Sequence, residues 1–101
     1  MNFSTGQKFV AQKEFGKALN VFLNLNDKND AIYFYLGLIY FELNNFNKSI
    51  YYYNKFFKKK PNSVIGLYNL AFVKQSIGKI EEAKRIYLKL IIIDQNKIRP
   101  F

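Results

Sequence analysis

The chain copies its own spacing. Gly37, Phe46, Ser49 and Tyr53 have counterparts 34 residues further on, at Ala71, Ile80, Ala83 and Tyr87. Gly6, Phe9, Phe15, Ala18 and Phe22 align in turn with Gly37, Tyr40, Phe46, Ser49 and Tyr53, each 31 residues apart. A constant offset across several positions constrains the fold more than any composition does. A unit of about thirty residues cannot bury its own apolar face, so it must stack on the next copy. The three residues missing from the first unit predict a shortened second helix or a shortened loop near Asn26 to Asn29.

Within each unit the apolar period is helical. From Asp30 the stripe runs Tyr33, Leu36, Gly37, Tyr40 and Leu43, until Asn44-Asn45 breaks it. A second helix is expected from Phe46 to about Lys59, with Phe46, Ile50, Tyr53, Phe56 and Phe57 on one side. Lys58, Lys59 and Lys60 then crowd its C-terminal end, where cations complement the helix dipole, and Pro61 stops it. Asn62 or Ser63 is placed to cap a helix that runs to Ser76. Gly78 turns the chain, and a last helix is expected from Ile80 to Ile93 with Glu81 and Glu82 in its first turn. The N-terminal segment reads as two shorter helices, Phe3 to Gln12 and Glu14 to Leu25. No run alternates strictly enough to be a strand. The expectation is six helices in antiparallel pairs.

At this spacing the sequence resembles the tetratricopeptide repeat family. The middle unit carries Tyr33-x2-Leu36-Gly37-x2-Tyr40, then Ser49-x3-Tyr53, then Pro61. The last carries Leu67-x2-Leu70-Ala71, then Ala83-x3-Tyr87, with Lys74 where the pattern has an aromatic residue. The first keeps Gly6-x2-Phe9 and Ala18-x3-Phe22. The resemblance implies an all-α fold, a right-handed superhelical array of three antiparallel helix pairs (an alpha-alpha solenoid). It implies one domain over residues 1–101, with units at about 1–29, 30–63 and 64–97. The residue types make sense without the family. Small residues stand where paired helices approach closely, and the aromatic residues at 22, 53 and 87 fill the space between neighbouring pairs.

The catalytic vocabulary is thin. There is no Cys and no His, which removes thiol nucleophiles, thiolate metal sites and the commonest general base. The seven carboxylates form no spaced catalytic pair, since Glu81 and Glu82 are adjacent and point apart on a helix. The five glycines are scattered singly, so no phosphate loop exists. An enzyme is the least expected class, and no cofactor or metal is called for. The formal net charge is +9, from sixteen Lys and Arg against seven Asp and Glu. Fourteen of those cations are Lys, whereas phosphate readers favour the Arg fork. The abundance of Asn, Ile, Phe and Tyr fits drift in an AT-rich genome. Lys58 to Lys60 read better as a helix-end cluster than as a phosphate site, and Tyr51 to Tyr53 better as partly core than as a base-stacking platform. No specific nucleic acid is expected as a partner. Met1 to Phe15 holds no apolar run of the length of a signal core, and the longest apolar run, Ala31 to Phe41, is too short for a membrane span, so a cytoplasmic chain without a membrane span is expected.

In this family the first helix of each pair lines a concave groove. The faces that would point there include Gln7 and Val10, then Ala31, Phe34, Tyr35, Leu38, Phe41 and Glu42, then Ile65, Tyr68, Asn69, Phe72, Gln75 and Ser76. The candidate binding residues are Phe34, Tyr35, Leu38, Phe41, Tyr68, Asn69, Phe72 and Gln75, an apolar and aromatic set suited to a protein or peptide partner. Some relatives clamp a C-terminal carboxylate with Lys, Asn and Arg. Only Asn69 stands at a matching place here, while Phe3, Gln7, Tyr35, Leu38 and Ile65 hold the others, so that clamp is not expected. The last helix ends in Leu88, Leu90, Ile91, Ile92 and Ile93, apolar all round, where repeat arrays need a polar outer face. Either the tail from Asn96 to Phe101 folds back, or another molecule covers the face, or the chain is a fragment of a longer array. Leu88, Ile91 and Ile92 therefore mark a candidate face for a homo-oligomer. The leading reading is a non-catalytic interaction scaffold, with a self-associating structural protein second and an RNA-binding helical repeat third.

Overall fold

The computed structural model describes residues 1–98. Six helices follow one another: α1 (Phe3–Ala11), α2 (Phe15–Leu23), α3 (Asp30–Glu42), α4 (Phe46–Phe57), α5 (Val64–Ser76) and α6 (Ile80–Ile98). No strand occurs among the described residues. The helices pack as three successive pairs, and each pair leans on the next through α2 with α3 and α4 with α5. This is the all-α solenoid that the family resemblance implies.

The helix starts follow from short polar side chains. The carboxamide oxygens of Asn2, Asn29 and Asn45 accept from the backbone N–H of Thr5, Ile32 and Lys48. Ser63, not Asn62, caps α5 and accepts from the Gly66 N–H at 3.2 Å. These bonds satisfy donors that a helix leaves orphaned in its first turn. The missing three residues fall entirely in a helix. α2 has 9 residues against 12 in α4, and six-residue links follow both. Helix α6 outruns the expected end at Ile93 and continues to Ile98. No Gly or Pro stands between Lys79 and Arg99 to stop it.

Inside each pair the chain turns through a left-handed residue, and that residue repeats with the units. Lys13 (φ 59°), Asn44 (φ 63°) and Gly78 (φ 85°) occupy equivalent corners. Asn and Gly suit this conformation, and Lys does not. Lys13→Gly is expected to raise stability by about 1 kcal/mol in chemical denaturation, because it removes the steric cost of a Cβ at that corner.

The core is built on small residues facing rings. A Cβ added at Gly6 would lie 2.5 Å from the Phe22 ring, and one at Gly37 2.8 Å from the Tyr53 ring. Ala18, Phe22, Leu36, Ile39, Tyr53 and Ala71 are buried. Ser49 is the one buried polar residue among those described, and its hydroxyl donates to the Gly37 carbonyl at 2.6 Å. That carbonyl lies within helix α3, where the helical ladder supplies another donor, so Ser49→Ala should cost at most about 1 kcal/mol in a denaturant titration. Ala18 and Ala83 already hold the equivalent positions.

A second repeating contact explains Lys74. In the first unit the Lys17 ammonium lies 5.8 Å from the Phe9 ring centroid, and in the second Lys48 lies 5.3 Å from Tyr40. The equivalent pair in the third is Lys74 with Glu82, an ion pair at 2.7 Å. The cation has moved from the second helix to the first, and its partner has changed from a ring to a carboxylate. The lysine hydrogen bond and charge hold the Glu82 carboxyl below the ordinary glutamate range.

Candidate functional site

Helices α3 and α5 touch across the intervening helix, and their aromatic residues set the shape of what lies between them. Phe41 of α3 meets Phe72 of α5 edge to face, with ring centroids 5.5 Å apart. Around this contact lies a cleft of about 240 Å³ lined by Leu38, Phe41, Glu42, Tyr53, Tyr68, Asn69, Phe72 and Val73. Tyr68 and Phe72 leave roughly half their surface open, at 53% and 46% exposed. The helical period explains the set. Positions 38, 41 and 42 share one stripe of α3, and 68, 69, 72 and 73 share one stripe of α5.

Of the eight residues expected in a groove, Leu38, Phe41, Tyr68, Asn69 and Phe72 line this cleft together. The other three stand elsewhere. Phe34 packs into the seam between α3 and α4, with its ring 5.9 Å from Tyr53 and 5.4 Å from Phe56. Tyr35 turns toward the first unit, stacks on Phe22 at 5.3 Å and accepts a hydrogen bond from the Gln7 side-chain amide at 3.1 Å. Gln75 faces the last helix and accepts from the Tyr87 hydroxyl at 3.2 Å. Tyr53, which the spacing assigned to packing, and Val73 line the cleft as well. The phenol oxygen of Tyr53, where the first unit has Phe22, is the signal that could have placed it there.

The polar groups of the cleft act on one another. Burial pushes the Tyr53 hydroxyl well above the ordinary phenol range. The Asn69 side chain beside it pulls the other way, and the Glu42 carboxylate adds to the rise. The folded chain therefore holds this phenol neutral. Its contribution to stability is present below pH ~10, where an unfolded tyrosine is also neutral, and is lost as pH rises beyond that. Tyr53→Phe should flatten the alkaline limb of a plot of unfolding midpoint against pH, and a limb unchanged by the substitution would contradict this burial.

At the other end of the array, Leu88, Ile91 and Ile92 stand on the outer side of α6, 60%, 53% and 58% exposed. Residues 99–101 lie outside the described residues, as does any fold-back of the tail across this face. Lys58 and Lys59 are exposed beyond the end of α4, and Lys60 lies 3.9 Å from Asp30. Among the described residues no helix is long and apolar enough to cross a membrane.

Comparison with known proteins adds to this geometry. Two tetratricopeptide repeat family models match, one over residues 30–63 and one over 66–97. The chain is 26% identical over 100 residues to the ycf37 protein of Guillardia theta, covering 91% of this chain and 56% of that one. It is 29% identical over 107 residues to the ycf37 protein of Pyropia yezoensis, covering 94% and 60%. A TPR repeat-containing protein of Methanocaldococcus jannaschii is 34% identical over 59 residues, covering 56% of this chain and 18% of its own length. The chain thus spans just over half the length of the two ycf37 relatives. The matched residues are those that form the second and third helix pairs, with their small-on-aromatic contacts and their shared concave cleft. On this combined evidence the chain belongs to the tetratricopeptide repeat family, whose repeats mediate contacts between proteins.

Proposed function

We propose that this chain is a non-catalytic scaffold that binds a peptide or helical segment of another protein in the cleft between α3 and α5. The first helix pair counts as a third repeat, so the units run over residues 1–29, 30–63 and 64–97. The observation that carries the reading is the half-open aromatic pair Tyr68 and Phe72 over a cleft walled by Leu38, Phe41 and Val73. Such rings, left open to water within a defined cavity, are typical anchors for a partner side chain. The test uses linear peptides selected from a random displayed library on the full chain. Phe72→Ala is expected to weaken selected peptides about thirtyfold, the ~2 kcal/mol typical of a central aromatic anchor. The helical signal should persist, because Phe72 is not part of the packed core. Phe34→Ala is a different experiment, since that ring supports Tyr53 and Phe56. Peptides that bind Phe72→Ala and the parent equally well would remove this reading.

A second reading rests on α6. Leu88, Ile91 and Ile92 present an open apolar stripe, and pairing of two copies through it would make a self-associating structural protein. Ile92→Lys would abolish such association, because a charge on a buried apolar face is costly to desolvate. Sedimentation of parent and variant measures it. Equal masses for the two, both monomeric, would eliminate the second reading and leave the first untouched.

A further inference from the structure

The cleft contains a charge that the rest of the chain leaves alone. Glu14, Asp30, Glu81 and Glu82 each have a lysine ammonium within 4 Å. Glu42, at the C-terminal end of α3, has no such partner among the described residues; Asp27 shares this, but Glu42 lines the cleft and Asp27 does not. This occurs in a chain with sixteen Lys and Arg, none of which lines the cleft. With Glu42 the same cleft is lined by the rings of Phe41, Tyr68 and Phe72 and by the Asn69 side chain.

We infer that the cleft takes one long cationic side chain of the partner segment, arginine in preference to lysine, with its stem and planar head against Phe41, Tyr68 and Phe72 and its charge on Glu42. This deepens the proposed peptide-binding function and rests on it. Three features support the assignment. Aromatic faces attract cations, and a guanidinium also stacks on them flat. The carboxylate accepts a charge-assisted pair from the same group, and the Asn69 side-chain oxygen is a further acceptor in reach of the cavity. A cavity of about 240 Å³ has room for one large side chain rather than a row of them. The influence of Glu42 reaches the buried end of the cleft, since its charge helps keep the Tyr53 phenol neutral. The net charge of +9 sets the context. It repels a broadly basic segment, so the cation belongs to a peptide that is otherwise neutral or acidic.

The test takes the peptides selected from a random linear library on the full chain and remakes each with its arginine replaced by neutral citrulline. The parent chain is expected to lose about ten- to a hundredfold in affinity for the citrulline versions, the range of a cation–ring contact with a charge-assisted hydrogen bond. Glu42→Gln should bring the two versions close to equal, while Glu42→Asp keeps a preference for the cation. Glu42 is exposed and makes no ion pair, and circular dichroism will show both variants folded. Peptides that lose affinity with Phe72→Ala but bind equally as arginine or citrulline overturn the cationic anchor and leave the cleft as the binding site. Peptides indifferent to Phe72→Ala overturn both, and so does a library that yields no binder.

Discussion

Gly37→Leu should lower the melting temperature by about 12 °C or more. A Cβ at this position lies 2.8 Å from the Tyr53 ring, a separation that packed atoms do not reach. The ring cannot yield. Tyr53 is only 1% exposed and is backed by Phe34 at 5.9 Å. Overpacking of this kind costs about 3 kcal/mol, which for a domain of this size corresponds to the stated shift. Gly16 is the control. A Cβ there meets nothing within 4 Å, so Gly16→Ala should gain about 0.5 kcal/mol through helix propensity alone. Two glycine substitutions on helices would then move stability in opposite directions. Equal melting of Gly37→Leu and the parent would mean that α3 and α4 do not approach as described.

Phe56→Ala should cost about 3–5 kcal/mol, the range for deleting a buried phenylalanine ring. The loss should be distributed unevenly. Phe56 sits where the second pair receives the third: its ring lies 5.4 Å from Phe34 on one side, and on the other it meets Gly66 of α5, where a Cβ would be 2.5 Å away. In a repeat array each unit is held mainly by its neighbour, so a weakened joint releases what lies beyond it. Amide hydrogen exchange should accelerate throughout α5 and α6 and change less in α1 and α2. Uniform acceleration across all six helices would show that the array melts as one unit instead.

The helices and their pairing were legible because the signal is redundant. Small residues, rings and breakers recur at one offset, so an error at a single position does not move an element. The end of α6 was not legible in this way. Ile93 closes the apolar run, but nothing in Asp94-Gln95-Asn96 forbids helix, and the backbone continues. The cleft was legible only in part, for a physical reason. Phe34 and Phe72 both appear as aromatic residues on an inner face when α3 and α5 are considered one at a time. Which ring stays open depends on what a neighbouring helix lays over it. Phe56 covers Phe34, and nothing covers Phe72 to the same degree. Tyr35 shows the same effect, since Phe3, Phe22 and Gln7 of the first unit claim it. Tyr53 was assigned to the core on its spacing and does lie there, but its hydroxyl also reaches the cleft, a dual role that no periodicity reveals.

Each helix packs mainly on its sequence neighbours, with α1 and α3, and α3 and α5, also touching across a gap, and the far-reaching hydrogen bonds Gln7 to Tyr35 and Lys89 to Pro61 span just 28 residues. This locality has a consequence in time. Contacts so close in sequence form in microseconds to milliseconds, whereas a ribosome adding about 5–20 residues per second needs about 2–7 s to deliver one repeat. The order of assembly is therefore the order of synthesis. For seconds in each round of translation, α4 displays Phe56 and Phe57 without the α5 helix that will cover them. That interval, rather than any state of the finished array, is when the chain is most open to aggregation or to capture by a chaperone.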